Sequence, residues 1–184
     1  MSKPVSISVI VPIYGVEKYI ARFADSLLSQ DYPHIQFIFV NDETKDGSMK
    51  ILNNLIEERY SDLKDRIIII NKKNEGCPKA RRTGLSYATG DYITHSDPDD
   101  WYEPGAFSEI ASVAESTGAD FIYFDFYKEY INKKKPKCER DYTIDQKDEF
   151  IRNMYNHKSY GCHWNKCVKR SVYDNKIYFA QVPC

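Results

Sequence analysis

Four short, almost uninterrupted apolar runs, each followed by a longer amphipathic stretch, constrain this chain more than anything else in it. The runs are Ser6–Pro12, Phe37–Val40, Ile67–Ile70 and Tyr92–Thr94. A strand that is apolar at successive positions has both faces covered, as strands of a parallel sheet between helical layers do. After the first run, Ile20, Phe23, Ala24, Leu27 and Leu28 recur at helical spacing, and after the second so do Ile51, Leu52, Leu55 and Ile56. A third helix is predicted from Pro78 to Ala88, stopped near Gly90. A fourth carries Phe107, Ile110, Ala111 and Ala114, with Glu103-Pro104 as its first turn, and Asp120–Phe126 is read as a fifth strand. The alternation predicts an α/β fold, a three-layer α/β/α sandwich with a mostly parallel central sheet. The regular part is expected to end near residue 127, giving a core over 1–127 and an incomplete second region over 128–184. In that second region Lys133–Lys137 reads as a basic loop, a solvated turn before a membrane-headgroup patch. Asp148–Tyr155 reads as helical and Trp164–Ser171 as a compact mixed segment.

Composition narrows the class. Of 184 residues, 42% are apolar, enough for one ordinary core, and a net charge of −1 argues against general nucleic-acid binding, which needs a concentrated basic footprint. No apolar run is long enough to cross a bilayer, and Met1-Ser2-Lys3-Pro4 leads into a strand without a signal-peptide pattern. The five cysteines are odd in number and scattered; Cys162-His163…Cys167 lacks a second ligand pair, so all are read as thiols of a reducing compartment. A cytoplasmic location is expected.

In a parallel sheet, ligands sit beyond the carboxyl ends of the strands. That rim gathers every chemistry-bearing segment of the sequence. Asp97-Pro98-Asp99-Asp100 follows the fourth strand directly. Residues two apart in an extended chain point to one side, and Pro98 stiffens the presentation, so Asp97 and Asp99 can face one hard divalent cation such as Mg²⁺ or Mn²⁺. The plain structural alternative is an acidic turn before a helix. Tyr14 and Gly15 leave the first strand, where Tyr14 can stack on a nucleobase or pack on a helix cap. Asp42 ends the second strand and can accept a base N–H, or cap a helix. Asn74-Glu75-Gly76 with Arg81 and Arg82 gives a basic helix start suited to phosphate, or merely exposed charges. Together they describe a site for a nucleoside diphosphate.

These segments resemble family 2 glycosyltransferases of the GT-A fold. The likeness rests on Ser8–Tyr14, Ser26–Gln30, Val40–Ser48, Asn74–Gly76, Ala80–Leu85, Ala88–Ile93, Asp97–Trp101, Trp164-Asn165-Lys166 and Lys169-Arg170-Ser171, in order along nearly the whole chain. The resemblance implies an inverting transfer of a sugar, hexosyl in class, from a nucleotide-diphosphate donor to an acceptor hydroxyl. It implies nucleotide contacts from Pro12, Tyr14, Asp42, Arg81 and Asp97, with Asp42 reading the base and a UDP-sugar favoured, and a Mn²⁺ or Mg²⁺ cofactor held by Asp99 and Asp97. The implied acceptor is a carbohydrate or lipid-linked glycan of bacterial polysaccharide or glycoconjugate synthesis, with peripheral association at the inner face of the membrane. The sequence departs from the family pattern at Asn41, Glu43, Pro78-Lys79 and Arg82. The carboxylate that deprotonates the acceptor is expected in an acidic pair beyond Cys184. A sugar-phosphate nucleotidyltransferase and a nucleotide-sugar-binding module without turnover are the alternatives; the first normally shows a Gly-rich loop with an Arg after strand one, which Pro12-Ile13-Tyr14-Gly15 lacks.

Overall fold

The computed structural model describes residues 4–130, 133–137, 146–156 and 162–174. Its sheet is built from β1 (Ile7–Ile13), β2 (Ile35–Asn41), β3 (Ile67–Asn71), β4 (Tyr92–His95), β5 (Phe121–Tyr123) and β8 (Lys166–Lys169), in the order β3-β2-β1-β4-β8-β5. β3, β2, β1 and β4 run parallel, and β8 is antiparallel to both β4 and β5. The predicted mostly parallel sheet is therefore present, with β8 as its one reversed strand.

The helices are α1 (Ile20–Leu28), α2 (Ser48–Arg59), α3 (Cys77–Tyr87), α4 (Ala106–Thr117), α5 (Lys147–Tyr155) and α6 (Arg170–Asp174). All five apolar residues predicted on the inner face of α1 are buried. Strand alternation splits the core in two. Val9, Val11, Phe37 and Phe39 pack with Phe23, Leu27, Leu52 and Phe107 in one cluster, while Ile10, Ile38, Val40 and Ile93 pack with Ala80 of α3 in the other. This gives the three layers: successive residues on a strand face opposite helical layers, and residues two apart share one.

Several expectations are corrected. β3, read as covered on both faces, lies at the sheet edge with Ile69 36% exposed, because the helical layers overlap the last strand only in part. The fourth helix starts at Ala106, and not at Glu103-Pro104, because Gly105 takes a left-handed φ of 80° and breaks the turn. The stretch read as one strand from Asp120 to Phe126 divides into β5 and a separate β6 (Phe126–Tyr130). The supposed basic loop is β7 (Lys133–Lys137), paired antiparallel with β6 in a two-stranded sheet. From the later part of the chain, β8 joins the main sheet between β4 and β5.

α3 lies very close to the sheet. A Cβ on Gly84 would stand 2.4 Å from Cγ2 of Ile10 and 3.2 Å from Cγ2 of Val40. Both neighbours are β-branched residues of buried strands, with little freedom at χ1. Gly84→Val should therefore destabilise the fold by about 1–3 kcal/mol through overpacking. Urea unfolding checks this; an unchanged midpoint would mean that α3 does not sit so tightly.

Candidate functional site

A cleft of about 870 Å³ opens at the carboxyl ends of the parallel strands. Pro12, Tyr14, Asp42, Arg81, Asp97 and Asp99 all line it, along with the Asn74–Lys79 segment. Six residues spread over more than eighty positions thus meet because parallel strands end on the same side.

The first wall is a latch between two loops. Gly15 N–H donates to Thr44 Oγ1 at 2.8 Å, Val16 N–H to Ser48 Oγ at 3.2 Å, and Glu17 N–H to Asp46 Oδ2 at 3.0 Å. Gly47 N–H returns a bond to Glu17 Oε2 at 3.0 Å. Asp46 Oδ1 also accepts from the hydroxyls of Thr44 (2.8 Å) and Ser48 (2.6 Å) and from Ser48 N–H (3.1 Å). Partial burial works to raise the Asp46 pKa, but the donors from Ser48, Thr44 and Glu17 outweigh it and bring the carboxyl down to about 2. The latch leaves Tyr14 56% exposed on the cleft wall.

Asp42 forms the next part. Only 2% exposed, it accepts from Lys72 Nζ and Glu75 N–H on Oδ1, at 2.8 and 3.1 Å, and from Gly76 N–H on Oδ2 at 2.8 Å. Lys72 also bonds Glu75 Oε2 at 2.9 Å and the Lys73 carbonyl at 2.7 Å, while Lys79 holds the other oxygen of Glu75 at 2.9 Å. Between these two lysines the Glu75 carboxyl falls to about 2. Burial works to lower the Lys72 pKa, yet its bonds to Asp42 and Glu75 carry it above the ordinary value. Lys72 was not among the residues picked from sequence. Only the pairing of Asn41 with Asn71 places position 72 beside position 42.

Two departures from the family pattern acquire local roles. Asn41 accepts from Thr44 N–H and donates to Asn71 Oδ1, both at 2.9 Å, so it ties the ends of β2 and β3. Glu43 holds a left-handed φ of 60°, and its carboxylate accepts from Asn74 N–H at 3.3 Å and pairs with Lys45 at 3.3 Å.

At the far end, Arg81 of α3 is ion-paired to Asp97 Oδ1, with both side chains largely shielded. Asp99 is exposed. Asp100 is pushed up to about 6, first by burial and then by the charges of Asp99 and Asp97. Among the described residues no group of three or more His, Cys, Asp or Glu converges to cage a metal ion. The donors present are hard oxygens on an open rim, which fits Mg²⁺ or Mn²⁺ sharing its shell with water and phosphate. Behind Arg81, His95 is driven down to about 3 by burial, then by Arg81 and His163, and so is neutral at pH 7. Beside the acidic cluster, Arg22 of α1 stacks 3.3 Å over the Trp101 ring and pairs with Glu129 of β6 at 3.3 Å. Sequence reasoning missed Arg22 and Glu129, which carry no local motif. The general base expected beyond Cys184 lies outside the described residues.

With this geometry in hand, comparison with known proteins identifies the class. The chain belongs to glycosyl transferase family 2, whose profile matches residues 8–175. It is 35% identical to Glycosyltransferase GlyA of Streptococcus pneumoniae over 66% of this chain and 17% of that protein. It is 31% identical to the uncharacterized glycosyltransferase EpsJ of Bacillus subtilis, over 95% of this chain and 53% of that one. The putative glycosyltransferase EpsH of the same organism is 28% identical over 91% of this chain and 48% of its own length. The chain thus spans about half of EpsH and EpsJ. Among solved structures, S. aureus TarS 1-349 in complex with UDP-GlcNAc superposes with a TM-score of 0.75 at 22% identity, over 95% of this chain and 48% of that one. The mannosyltransferase PcManGT of Pyrobaculum calidifontis, in complex with GDP-Man and Mn²⁺, gives 0.70 at 18%, over 97% and 48%. At such identities the likeness is one of fold.

The latch has a pH signature. The Asp46 carboxyl is depressed in the folded state, so its stabilisation is full above the unfolded value near 4 and is lost as pH falls through about 2. Asp46→Asn should therefore be less stable than wild type at neutral pH, with the gap closing between roughly pH 4 and pH 2. Thermal melts across that range check it; a gap independent of pH would mean the carboxylate charge plays no part.

Proposed function

We propose that this chain carries the donor-binding part of an inverting, metal-dependent glycosyltransferase that uses a UDP-sugar. The observation that carries the reading is the shared cleft, with the buried carboxylate of Asp42 at one end and more open carboxylates at the other. In this reading Tyr14 stacks on the base, Asp42 accepts its ring N–H, and Arg81 orients Asp97 toward the ribose and the diphosphate. Asp99 and Asp97 hold Mn²⁺ or Mg²⁺, which when bound offsets the charge developing on the departing nucleoside diphosphate. His95, within reach of the Arg81 charge, is neutral at pH 7 and adds no positive charge of its own at this end. TarS crystallised with UDP-GlcNAc and PcManGT with GDP-Man and Mn²⁺ supply precedents for the nucleotide-sugar and the ion in this fold.

The relatives point to bacterial surface glycans. The similar proteins include GgaB, a minor teichoic acid biosynthesis protein of Bacillus subtilis, at 38% identity over 56% of this chain and 11% of that protein. We place the activity in polysaccharide or glycoconjugate assembly, with a carbohydrate or lipid-linked acceptor, on the cytoplasmic side of the membrane. Among the described residues no helix is long and apolar enough to cross a membrane.

Two measurements test the reading. Asp99→Asn should abolish the Mn²⁺-dependence of UDP binding and leave the fold intact, since the residue is exposed on the rim. Calorimetry with and without Mn²⁺ decides; an undiminished metal effect would remove Asp99 from the ion site. Asp42→Ala loosens the Asn74–Gly76 loop for every nucleotide, so the informative quantity is a difference. The loss for UDP should exceed the loss for CDP, whose base lacks the ring N–H, by about 1.5–3 kcal/mol, the worth of a hydrogen bond to a charged group. Equal losses would leave Asp42 a loop-shaping residue only.

A further inference from the structure

Asp42 has fewer acceptor positions to offer than its formal charge implies. An ionised carboxylate presents about four lone-pair sites. The chain's own donors occupy three: Lys72 Nζ and Glu75 N–H on Oδ1, and Gly76 N–H on Oδ2. One position on Oδ2 remains for a ligand. The two amide donors belong to the backbone and are fixed by the turn at Gly76, which needs its positive φ of 89°. The third donor is a side chain, and it alone can be removed by substitution with both backbone donors retained.

Lys72 is not available for other work. Its side chain is 13% exposed, and its ammonium protons are taken by Asp42, by Glu75 and by the Lys73 carbonyl. An ammonium has three donors, so none is left for phosphate. It also lies on Asp42, at the opposite end of the cleft from the Asp97–Arg81 pair.

We infer that Lys72 is a specificity-determining residue: by filling Oδ1 it restricts Asp42 to a single ligand hydrogen bond, so the site prefers a base edge with one ring N–H over an edge with two parallel N–H groups. Uracil and hypoxanthine present one such donor; guanine presents its ring N–H and exocyclic amine side by side, which match both oxygens of an unencumbered carboxylate. With Oδ1 taken, the guanine amine meets no acceptor on Asp42 and loses its hydration without replacement. The inference rests on Asp42 facing the base, as proposed above. It bears on a choice that varies within the fold, since one solved structure of this architecture holds a UDP-sugar and another a GDP-sugar.

The test compares GDP with IDP, which differ only in the exocyclic amine, each measured by displacement of UDP from the protein with Mn²⁺ present. Wild type should bind IDP at least as tightly as GDP. Lys72→Met should shift the ratio of the two affinities toward GDP by about tenfold or more, the effect of one added hydrogen bond to a carboxylate. Lys72→Arg keeps a donor on Oδ1 and should retain the wild-type ratio. A merely structural lysine would, on substitution, weaken both nucleotides alike; that outcome overturns the inference. So does a wild-type protein that holds GDP tenfold more tightly than IDP, a measurement that needs no variant to fold. UDP binding indifferent to Asp42→Ala overturns the base-reading role and this inference together. An Asp42→Ala loss specific to UDP, with an unmoved Lys72→Met ratio, overturns the inference alone.

Discussion

Parallel hydrogen bonding of β1 to β2 on one side and β4 on the other organises everything else in the molecule. All seven residues of β1 are buried, and their pairing runs from Ile7 against Ile35 to Ile13 against Asn41, and from Ile7 against Tyr92 to Ile10 against His95. Because the strands point the same way, the loops after Ile13, Asn41, Asn71 and His95 emerge at one rim. A one-residue slip would turn Val9 and Val11 away from α1 and α2 and expose the wrong face. The core thus locks the register, and the register delivers Asp42, Lys72 and Asp97 to the same cleft. Packing and site geometry are a single constraint here.

The cleft is electrically graded. At one end the alternation Asp42, Lys72, Glu75, Lys79 neutralises each charge with its neighbour. At the other end Arg81 answers one carboxylate of a cluster, and burial together with the charges of Asp99 and Asp97 pushes Asp100 up to about 6. Exposed ion pairs are each worth about 0–1 kcal/mol, so the Lys79–Glu75 bond decides little by itself. The Lys72–Asp42 pair differs: its partners are 13% and 3% exposed, and breaking it would strand a buried charge at a cost of about 3–5 kcal/mol. That contrast separates the Asp42 end, which is pre-formed, from the acidic end, whose repulsion a divalent cation can relieve.

β8 and the β6–β7 hairpin bring the later part of the chain onto the same framework. β8 wedges antiparallel between β4 and β5, with Thr94 Oγ1 donating to the Lys166 carbonyl at 2.8 Å across the junction. Through Arg22, the hairpin residue Glu129 reaches Trp101 at the edge of the acidic cluster. Residues remote in sequence therefore brace the segment that follows β4, which holds Asp97 and Asp99.

Local physics made much of this readable in advance. Apolar runs and 3.6-residue spacing are properties of neighbouring residues, so β1, β2, β4 and the buried faces of α1 and α4 could be assigned from sequence alone. The rim residues Pro12, Tyr14, Asp42, Arg81, Asp97 and Asp99 were also findable, because each lies at or just beyond the end of a parallel strand or in the first turns of a helix. The edge exposure of β3, the pairing of Lys133–Lys137 as β7 and the wedging of β8 were not, since strand pairing depends on partners distant in the chain. The same holds for Lys72 on Asp42, Arg81 on Asp97 and Arg22 on Trp101. Which atoms near the strand ends carry charge is a matter of composition and order; which of those charges remain free to meet a ligand is settled only when folding sets donors from other loops against them.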